Sequence, residues 1–339
     1  MSINVAVVGA TGAVGQEFIK VLERRNFPAD NIKFLASARS AGKEIRFRGT
    51  AYTIEELNEK SFVGVDIALF SAGSSISKKF APIAVDAGAI VVDNSSAFRM
   101  DPNVPLVVPE VNPQDVEKHS GIIANPNCST IIMVVPIWPL YKTIKIERIV
   151  VSTYQAASGA GWKAMQELMN QTADFLDGKD PKPEVLPHVY AFNLFSHNSK
   201  IGENGYNEEE MKMVNETRKM FHDDTIKVSA TCVRVPVLRA HSEAINITFS
   251  EPITEKQVRE ILDKAPGIKI VDDREKNYFP MPIDASEQDD VLVGRIRQDI
   301  SQPDGRGIDM FIAGDQLLKG AALNAVQIAE LLPIVKNKK

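Results

Sequence analysis

Cysteine is almost missing from this 339-residue chain: only Cys128 and Cys232 occur. They lie far apart, with no C-x-x-C pair and no histidine cluster at ligand spacing. That pattern argues against a zinc or other metal site and fits a reduced, cytoplasmic setting. Long apolar runs are missing too, so no segment reads as a bilayer span. The opening "MSINVAVVGA" has no basic region ahead of its apolar residues and runs straight into a strand, unlike a secretory signal. There is no excess of positive charge: the formal net charge is −5 and no basic stripe appears. Nucleic acid and anionic membranes are therefore not expected partners. Repeats and low-complexity segments are absent. What is present is apolar material, 44% of the residues, enough for a sizeable core and room for two domains.

The first 127 residues alternate strand and helix. "INVAVVG" is a β-branched run of the kind buried on both faces of a sheet. "GAVGQEFIKVLERR" follows as a helix with Phe18, Val21 and Leu22 on one stripe. "IKFLAS" reads as a second strand. "DIALFSAG", "SISKKFAPIAVDAG" and "AIVVDNSS" make another strand–helix–strand unit, and short strands are expected near 105–108 and 121–124. Such alternation predicts a parallel, doubly wound α/β sheet of Rossmann type. Beyond about residue 148 the strands show mixed alternation and are spaced by helices over 161–177, 207–222 and 254–265, the pattern of an α+β domain with a mixed sheet. Residues 178–187 are rich in proline and charge and read as an exposed loop. An apolar-striped helix at 316–332 is expected to return to the first domain. The predicted division is 1–127 plus 316–339 for dinucleotide binding and 128–315 for catalysis and dimerisation.

"VVGATGAVG" sits between the first strand and the first helix. Gly9, Gly12 and Gly15 would permit a tight turn, close approach of backbone to a pyrophosphate, and close helix–strand packing. Thr11, Ala13 and Val14 fill the same loop and helix start, where free N–H groups favour an anion. The spacing departs from the commoner G-x-G-x-x-G, and a purely structural glycine turn is the competing reading. NAD sites usually carry an acid after the second strand. This chain has "ASARSAGK" there: Arg39 flanked by Ser37 and Ser40. A guanidinium with two hydroxyls suits a 2′-phosphate, which points to NADP; a solvated loop charge is the alternative.

A nicotinamide cofactor beside a thiol suggests aldehyde oxidation or its reverse through a thioester. In "NPNCST" an Asn-Pro-Asn turn delivers Cys128 to the start of "CSTIIMVVPIWPLY", a helix that Pro136 and Pro139 should disturb. His241, in "CVRVPVLRAHSEA" between two strands and near Arg234 and Arg239, is the candidate base. His119, His188, His197 and His222 stand in polar or loop-like surroundings and read as surface or capping residues. Cys232 reads as core.

"GATGAVGQE", "DNSSAFRMD", "PEVN", "NPNCST", "TYQAASGAG", "VRVPVLRAHSE" and "GDQLLKGAALNAVQIAE", in that order, resemble the aspartate-β-semialdehyde dehydrogenase family over nearly the whole chain. The resemblance implies Cys128 as nucleophile, His241 as its acid/base partner and Gln155 as the residue orienting the acyl intermediate. It assigns Arg234 to the substrate α-carboxylate, Glu209 to its ammonium group, and Arg99 and Lys212 to phosphate. Ser158, Gly159 and Gln316 would line the nicotinamide side. It further implies a homodimer built through the second domain, and reversible reductive dephosphorylation of L-aspartyl-4-phosphate by NADPH. The product would feed lysine, methionine and threonine synthesis.

Two alternatives compete. N-acetyl-γ-glutamyl-phosphate reductases share the glycine loop and thiol chemistry, but tend to read Pro-Gly-Cys plus an aromatic where this chain has Pro-Asn-Cys-Ser. A catalytically inactive NADP-binding sensor would not need the thiol and imidazole that are present.

Overall fold

The structure, a computed structural model describing residues 2–338, divides into two compact units, residues 2–127 with 321–338 and residues 128–320. In the first unit β1 (Asn4–Val8), α1 (Ala13–Arg24) and β2 (Asn31–Ala36) are followed by a hairpin of β3 (Glu44–Phe47) and β4 (Thr50–Thr53). Then come β5 (Glu55–Glu56), β6 (Ile67–Phe70), α2 (Ser74–Asp86), β7 (Ile90–Asp93) and β8 (Ile122–Ala124). The sheet order is β5-β2-β1-β6-β7-β8, with every neighbouring pair parallel. The chain leaves β1 toward one edge and β6 toward the other, so the order reverses between these two central strands. In doubly wound sheets, ligands bind at the carboxyl ends of the strands beside such a reversal. Phe18, Val21 and Leu22 are fully buried, as the stripe on α1 requires.

The second unit begins with α3 (Cys128–Thr143). It continues through β9 (Ile146–Gln155), α4 (Trp162–Leu176), β10 (Phe195–Ser196), α5 (Glu208–Phe221), β11 (Lys227–Arg234) and β12 (His241–Phe249). After these come α6 (Glu255–Leu262), β13 (Ile268–Ile270), the single turn α7 (Pro282–Ala285), β14 (Val291–Gln298) and β15 (Gly307–Gly314). Its seven-stranded sheet runs β10-β11-β9-β12-β15-β14-β13, with β11/β9 and β13/β14 parallel and the remaining pairs antiparallel. Alternate residues of the central strands point to the buried face, against which α3, α5 and α6 pack. Ser152, Tyr154, Ala244, Asn246 and Phe311 are half-buried on the opposite face.

Four expectations need correction. The closing helix does not begin at 316: residues 318–322 form a wider π-type turn, and α8 spans Leu323–Leu331. The boundary accordingly falls after Gly320 and not after 315. Asp315 and Gln316 are held in the second unit by bonds to Arg239 and to the Ala240 N–H. Pro136 and Pro139 do not interrupt α3; a helix buried on nearly every side is held by packing despite two missing N–H groups. Residues 105–108 form only an isolated bridge, Leu106 to Ala124. The 178–187 loop is mostly exposed, as expected, and it is also pinned, because the Glu167 carboxylate accepts the N–H groups of Glu184, Val185 and Leu186. Among the described residues no helix is long and apolar enough to cross a membrane, and no cluster of His, Cys, Asp or Glu is arranged to hold a metal ion.

Candidate active site

The glycine loop occupies the carboxyl end of β1, at the reversal point of the first sheet. Gly9 has φ +84°, and a Cβ there would run into the Ser71 carbonyl. At Gly15 a Cβ would strike the Gly9 carbonyl, so α1 starts this close to β1 only because both are glycine. Gly12 is the N-cap of α1 and offers no side-chain cap, which leaves the first-turn N–H groups around Ala13 and Val14 directed outward. Thr11 and Gly12 are exposed. This cradle fits a dinucleotide pyrophosphate. After β2, the Ser40 N–H closes a turn on the Ser37 carbonyl at 2.8 Å. Arg39 stands exposed on that turn, while Ser40 is buried.

In the second unit the chemistry lies along one row across the sheet, on its buried face. Arg234 of β11 pairs in register with Gln155 of β9. The β12/β9 ladder sets Ser242 opposite Tyr154, which puts His241 beside Gln155. His241 in turn pairs with Gly314 of β15. Cys128, first residue of α3, is lowered onto this row. Its approach depends on two further glycines. A Cβ on Gly320 would come within 2.9 Å of the Cys128 Cβ, and one on Gly314 within 3.0 Å of the Ile132 side chain a turn further on. The Cys128 Sγ lies 3.5 Å from His241 Nε2. A helix N-terminus favours negative charge, so a thiolate is stabilised there.

The hydrogen bonds assign the imidazole's tautomer. The Ala156 N–H donates to His241 Nδ1 at 3.0 Å, which leaves the ring proton on Nε2, facing the sulfur. Burial, with the neighbouring Arg234 cation, pushes the His241 pKa down to about 3. The ring is therefore neutral at physiological pH and presents a donor to the thiol side. Gln155 is fixed by donating to Ser129 Oγ at 3.0 Å and Glu209 Oε1 at 3.3 Å.

Arg234 is 6% exposed, and its Nε and Nη1 are buried without a hydrogen-bond partner. Nη2 donates to His197 Nε2 at 2.9 Å. Sequence reasoning placed His197 at the surface; the structure sets it half-buried against Arg234, beside the β10/β11 pairing. No local sequence signal marks it, because the contact is made between residues far apart in the chain. Glu209 projects from the first turn of α5 and pairs with Lys212 at 2.9 Å. Its neighbour Glu210 is spent on a capping box with Asn207 and on the Cys232 N–H. Gly159 is exposed; a Cβ on it would lie 3.0 Å from His241 Nε2 and 3.4 Å from Arg234 Nη1. Gln316 accepts the Ala240 N–H and donates to Ser158 Oγ. Arg239 is tied elsewhere, to Asp315 at 2.7 Å. Arg99 belongs to the first unit, where it donates to the Asn125 and Asn94 carbonyls at 2.9 and 2.8 Å.

The first unit carries a cradle suited to a dinucleotide, and the second a thiol beside a neutral imidazole, an arrangement that suits a nicotinamide-dependent dehydrogenase. Known proteins narrow this. Residues 4–119 match the family described as "Semialdehyde dehydrogenase, NAD binding domain", and residues 137–319 that described as "Semialdehyde dehydrogenase, dimerisation domain". The aspartate-semialdehyde dehydrogenase of Synechocystis sp. is 59% identical over 97% of both chains, and that of Aquifex aeolicus 55% identical over 98% of both. A crystal structure of aspartate semialdehyde dehydrogenase II from Vibrio cholerae, complexed with ASA, superposes with a TM-score of 0.95 at 47% identity, covering 98% of each chain. The Candida albicans enzyme with NADP superposes with a TM-score of 0.76 at 25% identity, covering 99% of each. The chain belongs to the aspartate-semialdehyde dehydrogenase family, and is an oxidoreductase using a nicotinamide cofactor.

Proposed function

We propose that Cys128, His241, Gln155, Arg234, Glu209, Lys212 and Arg99 carry the reversible conversion of L-aspartyl-4-phosphate to L-aspartate-4-semialdehyde and phosphate. The observation that carries this reading is the 3.5 Å approach of Cys128 Sγ to His241 Nε2, on a row that also holds an Arg234 cation with two uncommitted nitrogens. In the biosynthetic direction the Cys128 thiolate attacks the acyl carbon, the C–S bond forms, and phosphate leaves with the electrons of the broken C–O bond. The nicotinamide, when bound, supplies the hydride that reduces the thioester. His241 Nε2–H faces the oxygen on which negative charge then develops and donates to it; collapse of the thiohemiacetal returns the thiolate. Gln155 orients the acyl group. Arg234 takes the α-carboxylate and Glu209 the ammonium, while Arg99 and Lys212 serve the leaving phosphate.

NADP is the preferred cofactor in this reading. Gly9, Thr11, Gly12, Ala13 and Val14 cradle the pyrophosphate, and Ser37, Arg39 and Ser40 bind the 2′-phosphate. Ser158, Gly159 and Gln316 border the nicotinamide. The protein works in the cytoplasm as a homodimer, the half-buried face of the second sheet receiving the second copy. The testing assay follows NADPH absorbance with aspartate semialdehyde, phosphate and NADP. Absorbance should rise only when all three are present; turnover without phosphate, or none with it, would refute the assignment.

A further inference from the structure

We infer that His197 is a positioning residue for substrate recognition. With Ser199 it forms a bridge that fixes Arg234 relative to Glu209. The inference rests on the reading of Arg234 and Glu209 as the carboxylate and ammonium partners of the substrate. Arg234 has only donors, so His197 Nε2 must be the acceptor of their 2.9 Å bond. Nδ1 lies 3.0 Å from Ser199 Oγ and 3.2 Å from the Ser199 backbone nitrogen, so Ser199 holds the ring through both its hydroxyl and its N–H. The same oxygen accepts the Glu209 N–H at 3.2 Å. An unbroken path thus runs from the guanidinium through imidazole and hydroxyl to the first turn of α5. The segment is anchored at both ends: the His197 N–H donates to the Cys232 carbonyl at 2.8 Å, and the Glu208 N–H to the Lys200 carbonyl at 2.9 Å.

The neutrality of the bridge matters as much as its length. A carboxylate at position 197 would hold Arg234 equally well but would cancel the charge a substrate carboxylate needs. An imidazole whose pKa burial lowers to about 4 accepts the hydrogen bond and leaves the full positive charge available. An α-amino acid presents its two charges at a fixed separation. A site that reads both needs its cation and anion held at a matching separation before the ligand arrives.

The experiment measures kcat and the separate KM values for aspartate semialdehyde, phosphate and NADP in five variants. His197→Phe removes the acceptor and should raise KM for aspartate semialdehyde about tenfold, the usual worth of a hydrogen bond to a charged group. Its kcat and the KM for NADP should stay within about threefold. His197→Gln restores a neutral acceptor and should recover most of the loss. His197→Glu restores an acceptor but neutralises Arg234, and should be at least as impaired as His197→Phe. Ser199→Ala removes the hydroxyl that joins the ring to α5, keeps the backbone N–H on Nδ1 and leaves Arg234 untouched, and should raise the same KM by a smaller factor. Equal KM values in the Phe and Gln variants, or a Glu variant as good as wild type, overturn the proposal. Arg234→Leu is the reference. If it leaves KM for aspartate semialdehyde unchanged, the assignment of Arg234 has failed; if it raises KM while the His197 variants do not, only the bridge has failed.

Discussion

Cys128 illustrates what a single residue needs from its surroundings. The thiol lies at the first position of a helix, against a donor nitrogen, on a half-buried site. Cys128→Ser keeps the shape but replaces a readily ionised group with a hydroxyl, and should lower turnover by several orders of magnitude while NADP affinity holds. A variant keeping a tenth of the activity would remove Cys128 from the chemistry. Gly159→Ala would put a methyl group between His241 Nε2 and Arg234 Nη1; kcat/KM for aspartate semialdehyde should fall at least tenfold with little change in melting temperature. Arg39→Leu should shift preference from NADP toward NAD by about ten- to a hundredfold, since a charge-assisted bond to phosphate is worth about 1.5–3 kcal/mol. Equal losses with both cofactors would make Arg39 a scaffold residue. At this scale Cys128 and His241 were named through the resemblance of their motifs to the family, and the structure brings the two side chains within 3.5 Å. The tautomer of His241, the bridge through His197, and the need for glycine at 314 and 320 were not legible in the sequence. Each depends on atoms brought together from separate strands, which no local pattern records.

Among the elements, α5 separates chemistry from construction within three consecutive glutamates. Glu208 is exposed, Glu209 faces Gln155 and Lys212, and Glu210 completes the capping box. Glu209→Gln should weaken use of aspartate semialdehyde by about 2–5 kcal/mol in kcat/KM, because a partner charge loses its compensation. Glu208→Gln should be silent. Glu210→Gln should leave kinetics intact, as glutamine still serves a capping box. Equal kinetic losses in all three would trace the effect to helix charge and not to recognition. The strands and helices were read well where periodicity was strong, as in β1, α1 and α5. The prolines of α3 misled, because propensity argues from the isolated helix whereas burial decides this one. The strand order of the second sheet has no sequence signature, and with it the row joining Arg234, Gln155 and His241 stayed hidden.

For the molecule as a whole, one buried acid sets a pH dependence. Glu243 lies one row below His241, opposite Thr153, is 0% exposed, and has both carboxyl oxygens without a hydrogen-bond partner. Burial alone pushes its pKa well above the ordinary 4.5. The folded protein thus keeps this proton while the unfolded chain releases it above about pH 4.5. The native state binds more protons in that window, so its stability falls as pH rises, by up to about 1.4 kcal/mol per pH unit. Glu243→Gln removes the titration. Its melting temperature should gain on wild type as the pH rises above about 4.5; a constant gap would show that Glu243 is ionised in the fold.

The discontinuity of the first unit bears on how the chain is made. Residues 128–320 form a continuous unit, whereas the parallel sheet, although synthesised first, is completed only by α8 near the other end of the sequence. That helix packs on α1 and on β6 and β7, and its buried Asn324 supplies the Val107 carbonyl and Asn125 Oδ1 with their donors. Until the closing residues arrive, the nucleotide-binding sheet carries an uncovered apolar face, exposed to chaperones or to aggregation for the length of translation. A chain broken off at residue 320 would lack the helix that covers α1, β6 and β7, and so would have no finished place to put the dinucleotide.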